Sequence, residues 1–143
     1  MLAIHMESRI RRYLHSFSIS SDAVAQAMQF LDETLDAEKC PPEIHSSFNI
    51  VVDEIVSNIV KFSQASSFEL AIEPVATPHS ITLVFIDNGT PYDPLSHIDP
   101  DTTLSADKRP IGGLGILMVK RLADSVSYRR EHNRNFFSVS MKL

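Results

Sequence analysis

The chain lacks several features that define whole classes of protein. Cys40 is its single cysteine among 143 residues, which excludes an internal disulfide and suits a reducing compartment. Its 13 Lys and Arg residues face 18 Asp and Glu residues, so the formal net charge is −5. Because phosphate backbones select basic surfaces, this acidic balance argues against direct binding to nucleic acid.

Long apolar segments are missing as well. No apolar run approaches the ~20 residues that a membrane span needs, and the stretch Met1–Arg12 mixes His, Glu and Arg, unlike a secretory signal. The composition is otherwise ordinary, since 43% of the residues are hydrophobic and 22% are charged, so wholesale disorder is not expected. We expect a single soluble, cytoplasmic domain over residues 1–143, with no membrane contact.

The apolar spacing predicts the element order β, α, α, β, β, loop, α, β, β. The predicted strands cover residues 10–18, 68–72, 80–86, 125–130 and 136–142. The predicted helices cover the stretch between Asp22 and Cys40, residues 42–62 and residues 115–123, and the predicted short loops cover 74–79 and 131–135. Strand 80–86 is almost wholly apolar, which predicts a central place in the sheet. This order favours an α+β two-layer sandwich, with helices on one face of a mostly antiparallel sheet.

Three polar side chains share one edge of the long predicted helix. At about 100° per residue, Glu54, Asn58 and Lys61 fall in a narrow wedge beside the apolar stripe. A carboxylate can accept a proton from a nucleophile, and an amide oxygen is a ligand for Mg²⁺. The same residues also fit an ordinary polar strip with a side-chain pair one helical turn apart.

A second group of polar residues follows the apolar strand. Asp87 comes directly after it, where a carboxylate could accept a hydrogen bond from the exocyclic amine of a base. Gly89 would let the backbone approach a flat ligand, although an ordinary Asp-Asn-Gly turn explains the same residues. The residues from Asp87 to Arg109 show no clear period, and a stretch of this length without structure usually has a function.

Glycine is scarce, and its position is therefore informative. Of the four glycines, three lie in Gly112-Gly113-Leu114-Gly115, at the entry to a predicted helix. Such glycines free N–H groups to point one way and form, with the helix dipole, a site for phosphate. A flexible hinge is the structural alternative. Together, in this order, the three motifs supply a metal-binding amide, a base-reading carboxylate and a phosphate-binding turn, which are the parts of a nucleotide site.

These motifs give the sequence its resemblance to a known family. It resembles the GHKL ATPase superfamily, which has the Bergerat ATP-binding fold, and within it the bacterial anti-sigma-factor serine/threonine kinases. Residues 54–61 are similar to the N box, residues 87–89 with the following Pro-Tyr-Asp-Pro to the G1 box, and residues 108–115 to the G2 box. Residues 121–124 and 135–137 resemble the C-terminal pattern of the family, so the resemblance covers nearly the whole chain.

The resemblance implies a role for the residues of these motifs. Asn58 would hold Mg²⁺, Glu54 would be the catalytic base, and Asp87 would bind the adenine amine. Gly89 would pack under the base. The other residues that the resemblance assigns to ATP binding are Lys61, Gly112, Gly113, Leu114 and Gly115.

Two further expectations concern the long loop. Arg109 would act in catalysis by offsetting negative charge on the transferred phosphoryl group, a kind of contact that can be worth several powers of ten in rate. Residues of about 93–111 would form an ATP lid, and closure of a lid excludes water and so favours transfer to a protein over hydrolysis.

The resemblance further implies an ATP- and Mg²⁺-dependent anti-sigma factor. Such a kinase phosphorylates an anti-anti-sigma partner of the STAS type and otherwise sequesters a sigma factor in a partner switch, and a homodimer also fits the resemblance. Phe62 stands where this subgroup often has His, and the segment around it is similar to the N box of sensor histidine kinases. Two alternatives stay open: an ATP-binding module that sequesters a partner without kinase activity, and a detached histidine-kinase-like ATPase module.

Overall fold

One layer of the molecule is a five-stranded sheet. The computed structural model describes residues 11–96 and 114–143. The strands in these residues are Tyr13–Ser18 (β1), Ser67–Val75 (β2), Ser80–Asp87 (β3), Ser125–Glu131 (β4) and Arg134–Lys142 (β5). They lie in the order β1-β2-β3-β5-β4, and each neighbouring pair is antiparallel.

The second layer is helical. The helices are Ala23–Ala37 (α1), Pro42–Phe62 (α2) and Leu114–Leu122 (α3), with a short 3₁₀ helix at Pro94–Ser96. Pro42 starts α2 because proline has a helical φ and lacks only an N–H that would have no partner in the first turn. Lys39 follows α1 with a φ of 55°, the left-handed conformation that commonly ends helices. Within residues 11–96 and 114–143, none of the helices has the length and apolar character needed to cross a membrane.

The core lies between the helices and one face of the sheet. Ile81, Leu83 and Phe85 alternate along β3 and pack in one buried cluster with helix side chains such as Phe48. Side chains two residues apart on a strand point to the same face. Asp87 therefore continues this row at the end of β3, on the face that the helices cover.

The opposite face of the sheet has a smaller apolar cluster of its own, formed by Ala71, Val84, Ile86 and Phe136. The guanidinium carbon of Arg129 lies 4.0 Å from the centre of the Phe136 ring, a distance typical of a cation–π contact. A charged side chain thus covers part of this cluster.

The structure confirms the predicted fold class and element order. The sheet is antiparallel, β3 is its central strand, and α2 has the bounds that the sequence predicted. Other predicted boundaries differ from the observed ones by about one to three residues, and two of these differences have a clear physical reason. Pro74 was expected in a loop but lies in β2 opposite Ile81. A proline is tolerated there because it lies beyond the end of β1 pairing at Ile72, and the Arg11 N–H donates to its carbonyl oxygen, a bond that needs no N–H from the proline.

The second wrong boundary concerns Asn135, which the sequence placed in the loop 131–135. Asn135 belongs to β5 because the turn between β4 and β5 needs only His132 and Asn133, which have φ values of 52° and 61°. Positive φ at both central residues is typical of the tight turn that matches the twist of two paired strands.

Candidate functional site

A cavity opens where the C-terminal part of α2 faces the ends of three strands. The residues that line it are Ile55, Asn58, Ile59, Phe62, Ser63, Phe85, Asp87, Tyr92, Pro94, Tyr128, Asn135 and Phe137. The cavity therefore brings together Asn58 from the first sequence motif and Asp87 from the second. Most of the other lining side chains are apolar or aromatic, which is usual for a site that binds a small molecule.

Glu54 and Asn58 form a hydrogen-bonded pair on α2. Both are half-buried, and Asn58 Nδ2 donates to Glu54 Oε2 at 2.7 Å. Residues four apart on a helix lie one turn apart on the same face. Because the amide nitrogen is directed at Glu54, the amide oxygen of Asn58 is available to a cation.

Gly115 brings the start of α3 against the Glu54 carboxylate. It is the second residue of α3, and a Cβ built on it would lie 2.0 Å from both Cδ and Oε1 of Glu54. Glycine permits this approach because it has no side chain. The carboxylate thus lies between α2 and the first turn of α3, where the helix dipole favours negative charge.

Asp87 and Gly89 belong to a well-anchored turn at the end of β3. Asp87 is 7% exposed, and its Oδ1 accepts a hydrogen bond from the Gly89 N–H at 2.8 Å. The Thr90 N–H donates to the carbonyl oxygen of Ser63 at 2.8 Å, and Arg130 Nη1 donates to the carbonyl oxygen of Gly89 at 2.8 Å. The turn is therefore tied both to the end of α2 and to β4.

Asn135 and Tyr128 line the site but are not among the predicted site residues, although Asn135 belongs to the C-terminal pattern of the family. Asn135 lies directly opposite Asp87 in the pairing of β3 with β5, and its Nδ2 donates to Asp87 Oδ1 at 3.0 Å. The Tyr128 hydroxyl donates to Asn135 Oδ1 at 2.6 Å. Strand register creates these contacts, and a sequence that places Asn135 in a loop cannot show them.

Comparison with known protein families shows to which family the chain belongs. The model of the histidine kinase-like ATPase domain matches residues 17–141. The chain belongs to this family. Its membership confirms the resemblance that the three motifs indicated and implies ATP as the nucleotide of the site.

Relatives of this histidine kinase-like ATPase domain include a kinase. The chain is 22% identical to "Serine/threonine-protein kinase BtrW" of Bordetella bronchiseptica, over 86% of this chain and 88% of that protein. The crystal structure of the RsbU and RsbW domains of a Mycobacterium tuberculosis protein has a TM-score of 0.66 and 12% identity, and the match covers 93% of this chain but 32% of that longer one. The SiaB–SiaC complex from Pseudomonas aeruginosa has a TM-score of 0.61 and 17% identity, over 100% of this chain and 98% of the matched one. These two structures show the same fold.

Two aromatic rings border the cavity of this ATPase domain. Phe62 and Tyr92 line it and are 63% and 39% exposed. Burial, and then the negative charges of Glu54 and Asp93, raise the pKa of the Tyr92 phenol, so it is protonated at neutral pH. The cavity volume is about 40 Å³, room for about three water molecules.

The remaining predicted site residues lie at the margin of this region or outside the described residues. Lys61 is exposed at the end of α2 and is not among the described residues that line the cavity. Leu114 is the first residue of α3 and is also exposed. The predicted site residues outside the described parts of the chain are Arg109, Gly112 and Gly113. Of the predicted lid, only residues 93–96 are described. The roles predicted for Arg109, Gly112, Gly113 and the lid therefore stay predictions.

The polar groups of the site fit ATP together with Mg²⁺. The two hydrogen bonds found on the Asp87 carboxylate within the described residues both go to Oδ1, so Oδ2 is available as an acceptor for an amine. The amide oxygen of Asn58 suits Mg²⁺, which prefers oxygen ligands and keeps several waters or phosphate oxygens. In the part of the chain that the structure describes, no group of three His, Cys, Asp or Glu side chains could hold a metal by itself. A magnesium ion here would therefore depend on the phosphates of the nucleotide.

Proposed function

We propose that this protein is an ATP- and Mg²⁺-dependent serine/threonine kinase of the anti-sigma type. The observation that carries the proposal is the position of the Glu54 carboxylate. It accepts a hydrogen bond from Asn58 and packs against Gly115 at the start of α3. A carboxylate in this place, apart from the Asp87 end of the cavity, suits proton transfer beside the phosphates.

Glu54 would act on the hydroxyl that receives the phosphate. As the serine or threonine oxygen bonds to the γ-phosphorus of ATP, the bond from that phosphorus to the bridging β-phosphate oxygen breaks, and ADP leaves. The hydroxyl proton passes to the Glu54 carboxylate, which acts as a general base. The hydrogen bond from Asn58 Nδ2 at 2.7 Å fixes the direction of the carboxylate.

The nucleotide would extend from Asp87 to the start of α3. Asp87 would accept a hydrogen bond from the adenine amine, Gly89 would pack under the base, and the first turn of α3 at Gly115 would present N–H groups to the phosphates. A magnesium ion on the Asn58 oxygen supplies positive charge that offsets the charge of the phosphates. The residues that we further propose for ATP binding or catalysis are Lys61, Arg109, Gly112, Gly113 and Leu114.

The protein that accepts the phosphate is proposed to be a small anti-anti-sigma protein of the STAS type. The second proposed partner is a sigma factor, which the kinase would bind when it is not bound to the first. The support is the relative named a serine/threonine-protein kinase and the shared fold with a structure solved as a two-protein complex. Phosphorylation would add about two negative charges to the acceptor. Because this chain has a net charge of −5, the added charge would weaken the complex and release the kinase to hold the sigma factor.

Substitution of Glu54 by glutamine tests the proposal. Glu54→Gln keeps the shape of the side chain beside Gly115 and an acceptor for Asn58, so we expect Mg-ATP binding equal to that of the wild type. Phosphate transfer to a STAS-domain partner should fall by about 10²–10⁴-fold, the usual contribution of a general base. Calorimetry measures the binding, and radiolabelled ATP measures the transfer. Asp53→Asn is the control, because Asp53 is the neighbouring, exposed carboxylate on α2 and should leave transfer unchanged.

The same assay separates the alternatives. Normal transfer by Glu54→Gln shows that another group is the base. ATP binding by the wild type without any transfer favours a module that sequesters its partner. Acid-labile phosphate on histidine, in place of acid-stable phosphoserine or phosphothreonine, favours a histidine-kinase-like module.

A further inference from the structure

Asn135 is a buried amide, 4% exposed, whose hydrogen-bonding groups are all engaged. Its Nδ2 donates to Asp87 Oδ1 at 3.0 Å and to the carbonyl oxygen of Thr90 at 2.8 Å. Its Oδ1 accepts from the Tyr128 hydroxyl at 2.6 Å and from the Tyr92 N–H at 3.4 Å. Since a primary amide has two N–H donors and one oxygen with two lone pairs, Asn135 has no group left for a ligand.

The place of Asn135 on a strand makes it a rigid support. It is paired with Asp87 across β3 and β5, and side chains of directly opposed residues on antiparallel strands lie close together. The amide connects the Asp87 carboxylate on one side with the turn at Thr90 and Tyr92 on the other. It therefore fixes the direction of the carboxylate relative to the cavity wall.

We propose that Asn135 is a positioning residue that sets the base selectivity of the nucleotide site through Asp87. The inference rests on the proposed function, because it takes ATP as the ligand. Asp87 Oδ1 accepts hydrogen bonds from Asn135 and from the Gly89 N–H, so these two bonds orient the carboxylate and leave Oδ2 as an acceptor of fixed direction. Such an acceptor favours a base with an exocyclic amine and disfavours a base with a carbonyl oxygen at the same place.

The test compares ATP with inosine triphosphate, which has a carbonyl oxygen where adenine has its amine. We expect the wild type to bind ATP more tightly. Asn135→Asp keeps the shape of the side chain and the acceptor for Tyr128, but it removes both N–H donors, so only the Gly89 N–H still holds Asp87 Oδ1. The preference for ATP should fall by about tenfold or more, as expected when a hydrogen bond to a charged group is lost. Calorimetry with each nucleotide and magnesium measures the preference.

Asn49→Asp provides a matched control for this substitution. Asn49 Nδ2 donates to Asp32 Oδ1 at 2.9 Å between two helices, so the same change is made beside another aspartate, away from the residues that line the cavity. It should leave the preference for ATP unchanged. Asn135→Ser is measured in parallel in case aspartate prevents folding. Its single hydroxyl cannot donate both to Asp87 and to the Thr90 carbonyl, so the preference should fall in the same direction.

The outcomes distinguish this inference from the proposed function. A wild type that prefers ATP, with Asn135 variants that bind both nucleotides more weakly by the same factor, overturns the positioning role and leaves ATP binding intact. A wild type that binds neither nucleotide overturns the proposed function, and this inference with it. A loss of preference in the Asn135 variants but not in Asn49→Asp supports the positioning role and ATP as the ligand, and the transfer assay then tests the kinase separately.

Discussion

Gly89 and Gly115 both make contacts that leave no room for a side chain, but the neighbouring groups differ. A Cβ on Gly89 would lie 2.1 Å from the backbone carbonyl oxygen of Ser63, whereas a Cβ on Gly115 would meet the side-chain end of Glu54. The Ser63 carbonyl is held by the Thr90 N–H and cannot yield without moving backbone. A glutamate side chain can change rotamer. The same substitution therefore has different consequences at the two glycines.

We expect Gly89→Ala to lower the free energy of unfolding by about 1–3 kcal/mol, the usual cost of an extra methyl group in a packed region. It should also weaken ATP binding, because the turn beside Asp87 moves.

Gly115→Ala should change the free energy of unfolding by less than about 1 kcal/mol, yet slow phosphate transfer by about 10²-fold as Glu54 is displaced. Urea denaturation and the transfer assay measure these effects.

Asn88→Ala is the control for these two variants, since Asn88 lies beside Gly89 but is exposed. Exposed substitutions of this kind usually change stability by less than about 0.5 kcal/mol. An equal loss of stability in the Gly89 and Gly115 variants would contradict the distinction between a backbone contact and a side-chain contact.

At the scale of elements, a small polar network joins α1 to α2. His45 Nε2 lies 2.7 Å from Asp32 Oδ1, and Asn49 Nδ2 donates to the same oxygen at 2.9 Å. Burial pushes the pKa of Asp32 up, but the hydrogen bonds from His45 and Asn49 and the attraction of His45 outweigh burial and hold that pKa below its usual value. A carboxyl group with a lowered pKa in the folded state stabilises the fold at pH values above its unfolded pKa of about 3.9.

Asp32→Asn should therefore reduce stability in a pH-dependent way. Because the Asp32 side chain is 45% exposed, the loss at neutral pH should be less than about 1 kcal/mol. The difference from the wild type should disappear as the pH falls through the lowered, folded-state pKa of Asp32. Urea denaturation at a series of pH values measures it, with the exposed neighbour Glu33→Gln as the control. A difference that persists unchanged in acid would show that the network acts by shape and not by charge.

The elements differ in how well the sequence predicted them. The bounds of α2 were predicted at both ends, because Pro42 is a strong helix start and the apolar stripe continues to Phe62. The β4–β5 hairpin was predicted with too long a loop, because His132-Asn133 is not the Asn-Gly or Asp-Gly pair that usually signals a two-residue turn. That error moved Asn135 out of β5 and concealed its contact with Asp87.

At the scale of the whole molecule, the candidate site spans the two layers. The helical layer contributes Glu54 and Asn58, and the sheet contributes Asp87 and Asn135. A ligand that contacts both layers binds only the folded chain, so its binding free energy adds to the free energy of unfolding.

The acidic groups near the cavity, Glu54 among them, would repel phosphates unless positive charge accompanies the nucleotide.

We expect Mg-ATP at about 100 times its dissociation constant to raise the free energy of unfolding by about 2.7 kcal/mol. ATP with a chelator should stabilise the chain less, because the phosphate charge is then not offset. Asn58→Ala should lose the part of the increase in melting temperature that depends on magnesium and keep part of the increase due to the nucleotide. Thermal denaturation measures each case, with Asn49→Ala as the control. Equal stabilisation with and without magnesium would contradict the metal-binding role of Asn58.

The sequence by itself determined the elements, their order and the motifs at Glu54 to Lys61, Asp87 to Gly89 and Gly112 to Gly115. Periodicity, helix starts and glycine placement are local properties, so neighbouring residues along the chain are enough to predict them. Only the tertiary structure decided that Asn135 bonds to Asp87 and that Gly115 lies against Glu54. These contacts depend on strand register and on the packing of two helices, and both join residues whose separation along the chain leaves no local pattern.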